Sequence, residues 1–134
     1  MTPVKPDVRI MVVDDDPALL GFTCKYLSRL GYSVVSYRSS EEAWRQFQTP
    51  GASFSLVLID QSMPVISGEQ LLRMMLSVQP GVRLILTSGY PFEAQDLLES
   101  APDRIAFLHK PFTPAMLAET VDRLLRASPQ VDAD

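Results

Sequence analysis

Charged and hydroxyl side chains follow several short apolar runs of the sequence, where they could act together. Asp14 and Asp15 come directly after "VRIMVV", Asp60 ends "FSLVLID", Thr87 ends "VRLILT", and Lys110 follows "RIAFLH". Neighbouring carboxylates repel one another, and a hard divalent cation such as Mg²⁺, which prefers oxygen ligands, would relieve that repulsion. A lysine ammonium suits an anionic group, to which a hydroxyl can also donate. The combination suits phosphoryl transfer, which depends on positioning and charge neutralisation.

Apolar runs and amphipathic segments alternate along the chain and predict the elements that position these side chains. Strands are predicted at 8–13, 32–37, 54–60, 82–87 and 104–109, and helices between Asp16 and Gly31 and at 39–47, 68–78, 92–100 (a weaker pattern) and 113–127. This order predicts an α/β fold, a doubly wound five-stranded parallel sheet with helices on both faces. Ligands of such sheets bind at the carboxyl ends of the strands, so the reactive side chains should meet at one edge.

Several residues have a structural explanation that is simpler than chemistry. Asp16 before Pro17 is typical of a helix N-cap followed by the first helical position, so the acidic triplet is interpreted as two site acids and one cap. Thr113 is predicted to cap the last helix in the same way, ahead of Pro114. Gly68 is expected to shape the loop after Asp60, together with Met63 and Pro64.

Length and composition exclude several classes of protein. A chain of 134 residues is expected to form one domain, here residues 8–127 between a flexible lead (1–7) and a flexible tail (128–134). The 12 basic residues are scattered and the net charge is -4, which argues against direct nucleic-acid binding. The single cysteine, Cys24, cannot form an internal disulfide. The N-terminal segment has no signal-peptide pattern, and no apolar run suits a membrane span, so a cytoplasmic protein without membrane association is expected.

Four motifs occur in order at the predicted strand ends: "VVDDDP", "LVLIDQSMPVISG", "LILTSGY" and "FLHKPF". Together they resemble the receiver domain of two-component response regulators, over roughly residues 8–127. The resemblance implies a flavodoxin-like fold with strand order 2-1-3-4-5. It also implies Mg²⁺-dependent phosphorylation by the phosphohistidine of a histidine kinase or phosphotransfer protein, or by a small phosphodonor. That phosphorylation would switch a protein-interaction face, in a monomer or a weak dimer.

The resemblance assigns the acidic residues to acceptor and metal roles. Asp60 matches the phosphoacceptor and is also expected to be a metal ligand. Asp15 matches the residue that binds Mg²⁺ directly, and Asp14 matches its neighbour, which acts largely through water. The main-chain carbonyl of Ser62 matches a further metal ligand.

The resemblance also assigns the residues at the ends of the last two predicted strands to phosphoryl binding and switching. Lys110 matches the lysine that contacts the phosphoryl group, and a cis peptide bond to Pro111 is implied. Thr87 matches the hydroxyl that reorients toward the phosphoryl oxygens, and Phe107 matches the switch aromatic, although core packing would also explain it. His109, the single histidine, is interpreted as peripheral.

The chain departs from the common receiver pattern near the acceptor. Ser67 stands where the family often has Asp, Gln61 and Ser62 are less usual beside the acceptor, and Gly89 provides no side chain two residues after Thr87. These positions flank the path of attacking water, so the lifetime of the phosphoryl group stays open.

Two other functions fit the same residues less well. An Asp-nucleophile phosphatase usually has a second Asp two residues after the first, and Ser62 stands there. A phosphorylation-independent interaction module would not need the intact acid set. The chain is therefore expected to catalyse only its own phosphorylation and dephosphorylation. Whether it is free-standing or the receiver of a hybrid histidine kinase, toward which "LTSGYP" leans, stays open.

Overall fold

The computed structural model describes residues 5–90, 96, 101 and 103–126. Five strands form one parallel sheet in the order β2-β1-β3-β4-β5, which confirms the predicted topology. The strands are β1 (Lys5–Val13), β2 (Tyr32–Tyr37), β3 (Leu56–Asp60), β4 (Arg83–Ser88) and β5 (Ile105–His109). The helices are α1 (Pro17–Arg29), α2 (Ser40–Phe47), α3 (Gly68–Val78) and α4 (Pro114–Arg126). Within the described ranges, no helix is long and apolar enough to span a bilayer.

The first strand begins earlier than the sequence predicts. β1 starts at Lys5, which pairs with Tyr32 of β2, and the register shifts before pairing resumes at Arg9. Pro6 lies in this irregular stretch and has no N–H to donate to a ladder, which explains why the segment is typical of a loop in sequence terms. The structure therefore places part of the expected flexible lead in the sheet.

Side-chain alternation along the strands divides the core into two layers. One layer lies between the sheet and helices α2 and α3, and includes Met11, Val57 and Leu84 from the strands. The other lies between the sheet and helices α1 and α4, and includes Val12 and Leu58. Both faces of the central strands are thus buried, as expected for a doubly wound sheet.

The predicted helix ends are confirmed where the structure describes them. Asp16 caps α1 by accepting hydrogen bonds from the N–H groups of the first turn, and Ser39 and Thr113 cap α2 and α4. Gly31 follows α1 with a φ of 101°, a left-handed conformation that favours glycine. The predicted helix at 92–100 lies outside the described residues except for Asp96, whose backbone is helical.

Candidate functional site

Strand alternation explains why the candidate side chains converge. In each of the four strands, the apolar residue two positions earlier faces the layer under α1 and α4. The same alternation places Asp14, Asp60, Thr87 and Lys110 on that face, at the carboxyl edge of the sheet. The structure therefore places these residues at the edge of the sheet where the sequence predicts the site.

Three carboxylates form the centre of the site. Asp14, Asp15 and Asp60 each offer an oxygen, and these oxygens all lie within 4.8 Å of one another. Asp14 and Asp60 are buried, with 6% and 5% of their surface exposed, whereas Asp15 is open to solvent. In the described part of the chain, no other group of three or more acidic, histidine or cysteine side chains is so close.

Lys110 is the cation that faces these acids. Its Nζ donates to Asp60 Oδ1 at 3.0 Å and lies 3.5 Å from Asp14 Oδ2. Burial on its own lowers the pKa of Lys110, but the hydrogen bond to Asp60 and the charges of both carboxylates outweigh it and raise the pKa. The Lys110 ammonium is therefore held in its charged form beside Asp60. The bond from Lys110 to Pro111 is cis, as predicted.

The surroundings of Asp14 shift the pKa of its carboxyl group. Burial raises the pKa of Asp14 above its ordinary value, and the charge of Asp60 acts in the same direction. A hydrogen bond from the Asp16 N–H to Asp14 Oδ1, at 2.9 Å, and the charge of Lys110 oppose this rise. Three carboxylates facing one ammonium leave an excess of negative charge on oxygen ligands, and this donor set fits a hard divalent cation such as Mg²⁺.

The start of α3 is closely packed against the end of β3 at Asp60. A Cβ on Gly68 would lie 2.5 Å from the main-chain oxygen of Asp60 and 2.6 Å from the Cα of Gln61. Only glycine allows α3 to begin this close to the end of β3. Ser62, whose carbonyl is the predicted metal ligand, lies in this turn and is exposed.

The two predicted switch residues lie on adjacent strands. Thr87 is buried and pairs in register with Asp60, so its side chain lies beside that of Asp60. Phe107 is half-buried and pairs with Leu86, and it packs against the layer under α3. Alternation therefore places Thr87 and Phe107 on opposite faces of the sheet, so they do not lie side by side. Phe107 and the exposed His109 line a cavity of about 130 Å³ with Ser88 and Tyr90.

Two residues contribute hydrogen bonds that sequence reasoning did not predict. Gln61 accepts the Glu69 N–H at its side-chain Oε1, at 2.7 Å. Ser88 is buried, donates to the Tyr90 carbonyl and accepts the Tyr90 N–H, which closes the turn after β4. Each of the two directly follows a reactive residue at the end of a predicted strand, Asp60 or Thr87, and this position is the sequence signal for both.

Comparison with known proteins gives a consistent assignment. A family model described as the response regulator receiver domain matches residues 10–122. The response regulator receiver protein CpdR of Brucella abortus is 28% identical over 90% of this chain, and the match covers 98% of CpdR. The sensor kinase CckA of the same organism is 30% identical over 92% of this chain, which spans 13% of the length of CckA.

Solved structures agree with these sequence matches. A receiver domain protein from Methanospirillum hungatei, described as CheY-like, is 29% identical with a TM-score of 0.77, over 88% of this chain and 93% of that one. The response regulator TrrA of Thermotoga maritima, solved in complex with Mg(2+)-BeF, is 30% identical with a TM-score of 0.76, over 87% and 98% of the two chains. Sequence, fold and the arrangement of acids thus agree, and the chain belongs to the family of response regulator receiver domains.

Proposed function

We propose that this chain is the phosphoacceptor module of a two-component phosphorelay and that Asp60 accepts the phosphoryl group. Receiver domains are generally signalling modules that interact with histidine kinases or phosphotransfer proteins and bind Mg²⁺ at an acidic site. The observation that carries the proposal is the position of Asp60. It is buried beside two further carboxylates, with the Lys110 ammonium 3.0 Å from its Oδ1.

The reaction is an in-line transfer to a carboxylate. An Asp60 oxygen attacks phosphorus, the bond from phosphorus to the donor nitrogen breaks, and the electron pair stays on the imidazole. Lys110 would hold a phosphoryl oxygen, and Asp14, Asp15, Asp60 and the Ser62 carbonyl would hold Mg²⁺. Bound Mg²⁺ would neutralise charge on the transferred oxygens. The chain then catalyses only its own phosphorylation and dephosphorylation.

The rim of the site supports a protein as the phosphodonor. A cavity of about 430 Å³ lies beside Lys110, lined mostly by apolar groups that include Leu19, Phe22 and Phe112. Phe22 is 46% exposed, although it is a large aromatic side chain. Because Lys110 borders both this cavity and the acid cluster, a donor that presents a phosphohistidine to Asp60 would cover the cavity with its own apolar side chains.

Phosphorylation is proposed to act on the β4–β5 face. Thr87 would move to donate to a phosphoryl oxygen, and Phe107 would then change rotamer. Because these residues face opposite sides of the sheet, the coupling would pass through β4 and the cavity that Phe107 shares with Ser88 and Tyr90. Only a difference in partner affinity between the two states is needed for signalling.

The alternative functions have less support. A phosphatase would need an acid–base group near the acceptor, and the residue two positions after Asp60 is the hydroxyl-bearing Ser62. An interaction module without phosphorylation has no use for a buried Asp14 and Asp60 held next to Lys110, since buried like charges are costly. Cytoplasmic location and the monomeric or weakly dimeric state stay predictions.

Phosphorylation by a small donor tests the proposal. Incubation with acetyl phosphate or phosphoramidate and Mg²⁺ should add one phosphoryl group, measured by intact mass spectrometry. Asp60→Asn should remove the modification, and a chelator should prevent it in the parent chain. Unchanged modification of Asp60→Asn would refute the assignment of Asp60 as acceptor.

A further inference from the structure

Gln61, the residue after the acceptor, makes hydrogen bonds in three directions. Its N–H donates to the Thr87 carbonyl at 2.8 Å, which extends the β3–β4 pairing past Asp60. Its carbonyl accepts the N–H groups of Met63 and Gly68, each at 3.0 Å. Its side-chain Oε1 accepts the Glu69 N–H at 2.7 Å. One residue thus joins the end of β3, the following turn and the start of α3.

These bonds satisfy the free N–H groups at the start of α3. The first turn of a helix has donors without intrahelical partners. Gly68 and Glu69 donate to Gln61, and Gln70 donates to the hydroxyl of the N-cap Ser67. Ser67 and Gln70 also form a capping box, so α3 has two independent N-terminal supports. Only the Gln61 support connects the helix to the residue next to the acceptor.

The main-chain bond from Met63 to Gln61 orients the Ser62 carbonyl. A planar trans peptide points its N–H and C=O in opposite directions, so a Met63 N–H held on the Gln61 oxygen fixes the direction of the Ser62 oxygen. The side-chain bond to Glu69 anchors Gln61 to the helix and so prevents this turn from rotating.

We propose that Gln61 is a positioning residue of the site: its side-chain oxygen holds the turn that directs the Ser62 carbonyl toward Mg²⁺. The inference rests on the proposed function, which includes that carbonyl as a metal ligand. Partners that orient metal ligands typically affect affinity by 10- to 100-fold, and Gln61 acts on one ligand of several. Loss of its acceptor oxygen should weaken Mg²⁺ binding by about 10-fold.

Direct Mg²⁺ titration of the intact chain tests this role. The dissociation constant is measured by NMR from amide shifts near Asp15, and stability is measured separately by urea denaturation. Gln61→Met keeps the side-chain length but removes the acceptor, and Gln61→Ala is the second variant if that substitution impairs folding. Gln61→Glu keeps an acceptor oxygen at a helix N-terminus, where a negative charge is favourable. Ser67→Ala is the matched control, because it removes the other support of the same helix.

The expected pattern separates positioning from helix capping. Gln61→Met should bind Mg²⁺ about 10-fold more weakly, whereas Gln61→Glu should bind at least as tightly as the parent. Ser67→Ala should lower the urea midpoint but keep the parent affinity. Parent-like affinity in Gln61→Met, or an equal loss in Ser67→Ala, would overturn the inference and leave the proposed function intact. No Mg²⁺ binding by the parent chain would overturn both.

Discussion

Replacement of Gly68 by alanine tests how closely the start of α3 approaches Asp60 at the end of β3. The added Cβ would lie 2.5 Å from the Asp60 main-chain oxygen, 2.6 Å from the Gln61 Cα and 2.8 Å from Leu86 Cδ1. Two of these atoms are backbone, so they cannot move aside as the end of a flexible side chain would. Overpacking of this kind typically costs about 1–3 kcal/mol, and we expect the upper half of that range.

Gly21→Ala is the matched control for Gly68→Ala. Gly21 lies inside α1, and a Cβ there would meet no atom within 4 Å. Alanine in an exposed helix interior is favoured over glycine by about 0.5–1 kcal/mol, so this variant should be stabilised. The same substitution should therefore change the urea unfolding free energy in opposite directions at the two positions. Gly68→Ala should also slow phosphorylation by acetyl phosphate. Parent-like stability of Gly68→Ala would refute the close approach.

Three other predictions concern the charges and the switch. Burial raises the pKa of Asp14 in the folded state, so that state holds the proton more tightly than the unfolded chain does. The contribution of Asp14 to the unfolding free energy should therefore fall as pH rises above about 3.8 in metal-free buffer, and Asp14→Asn should remove this part of the pH dependence of the urea midpoint. Lys110→Met should lower the unfolding free energy by about 2 kcal/mol at neutral pH, because it leaves the buried carboxylates without their cation. Addition of Mg²⁺ should restore part of that loss, measured by urea denaturation. Thr87→Ala should still accept phosphate at Asp60 but show smaller NMR shift changes around Phe107 on addition of Mg²⁺ and beryllofluoride; wild-type shifts there would show that coupling does not run through Thr87.

The sequence predicts most of the fold because each signal is local. The apolar runs predict the strands, and Asp16 and Thr113 predict helix starts that the structure confirms. The start of β1 was missed because the prolines near it are typical of a loop, whereas an irregular register with β2 allows pairing from Lys5. That outcome depends on a partner strand more than 20 residues away and has no local signal.

The sequence also predicts which residues meet at the site but not how they are held. Alternation and strand order are sufficient to bring Asp14, Asp60 and Lys110 together. The role of Gln61 depends on where α3 begins relative to β3, a distance between two elements that sequence patterns do not give. The placement of Phe107 on the face opposite Thr87 follows from the register of β5 on β4, which sequence patterns do not give.

The proposed function requires that the carboxylate of Asp60, and no other acid of the cluster, forms the acyl phosphate. The most direct measurement is reduction of the phosphorylated chain with borohydride, followed by tandem mass spectrometry, since an acyl phosphate is reduced to the alcohol at the modified residue. We expect homoserine at position 60 and only there, dependent on both Mg²⁺ and the phosphodonor. Homoserine at position 14 or 15, or no homoserine in a chain that has bound Mg²⁺, would refute Asp60 as the acceptor.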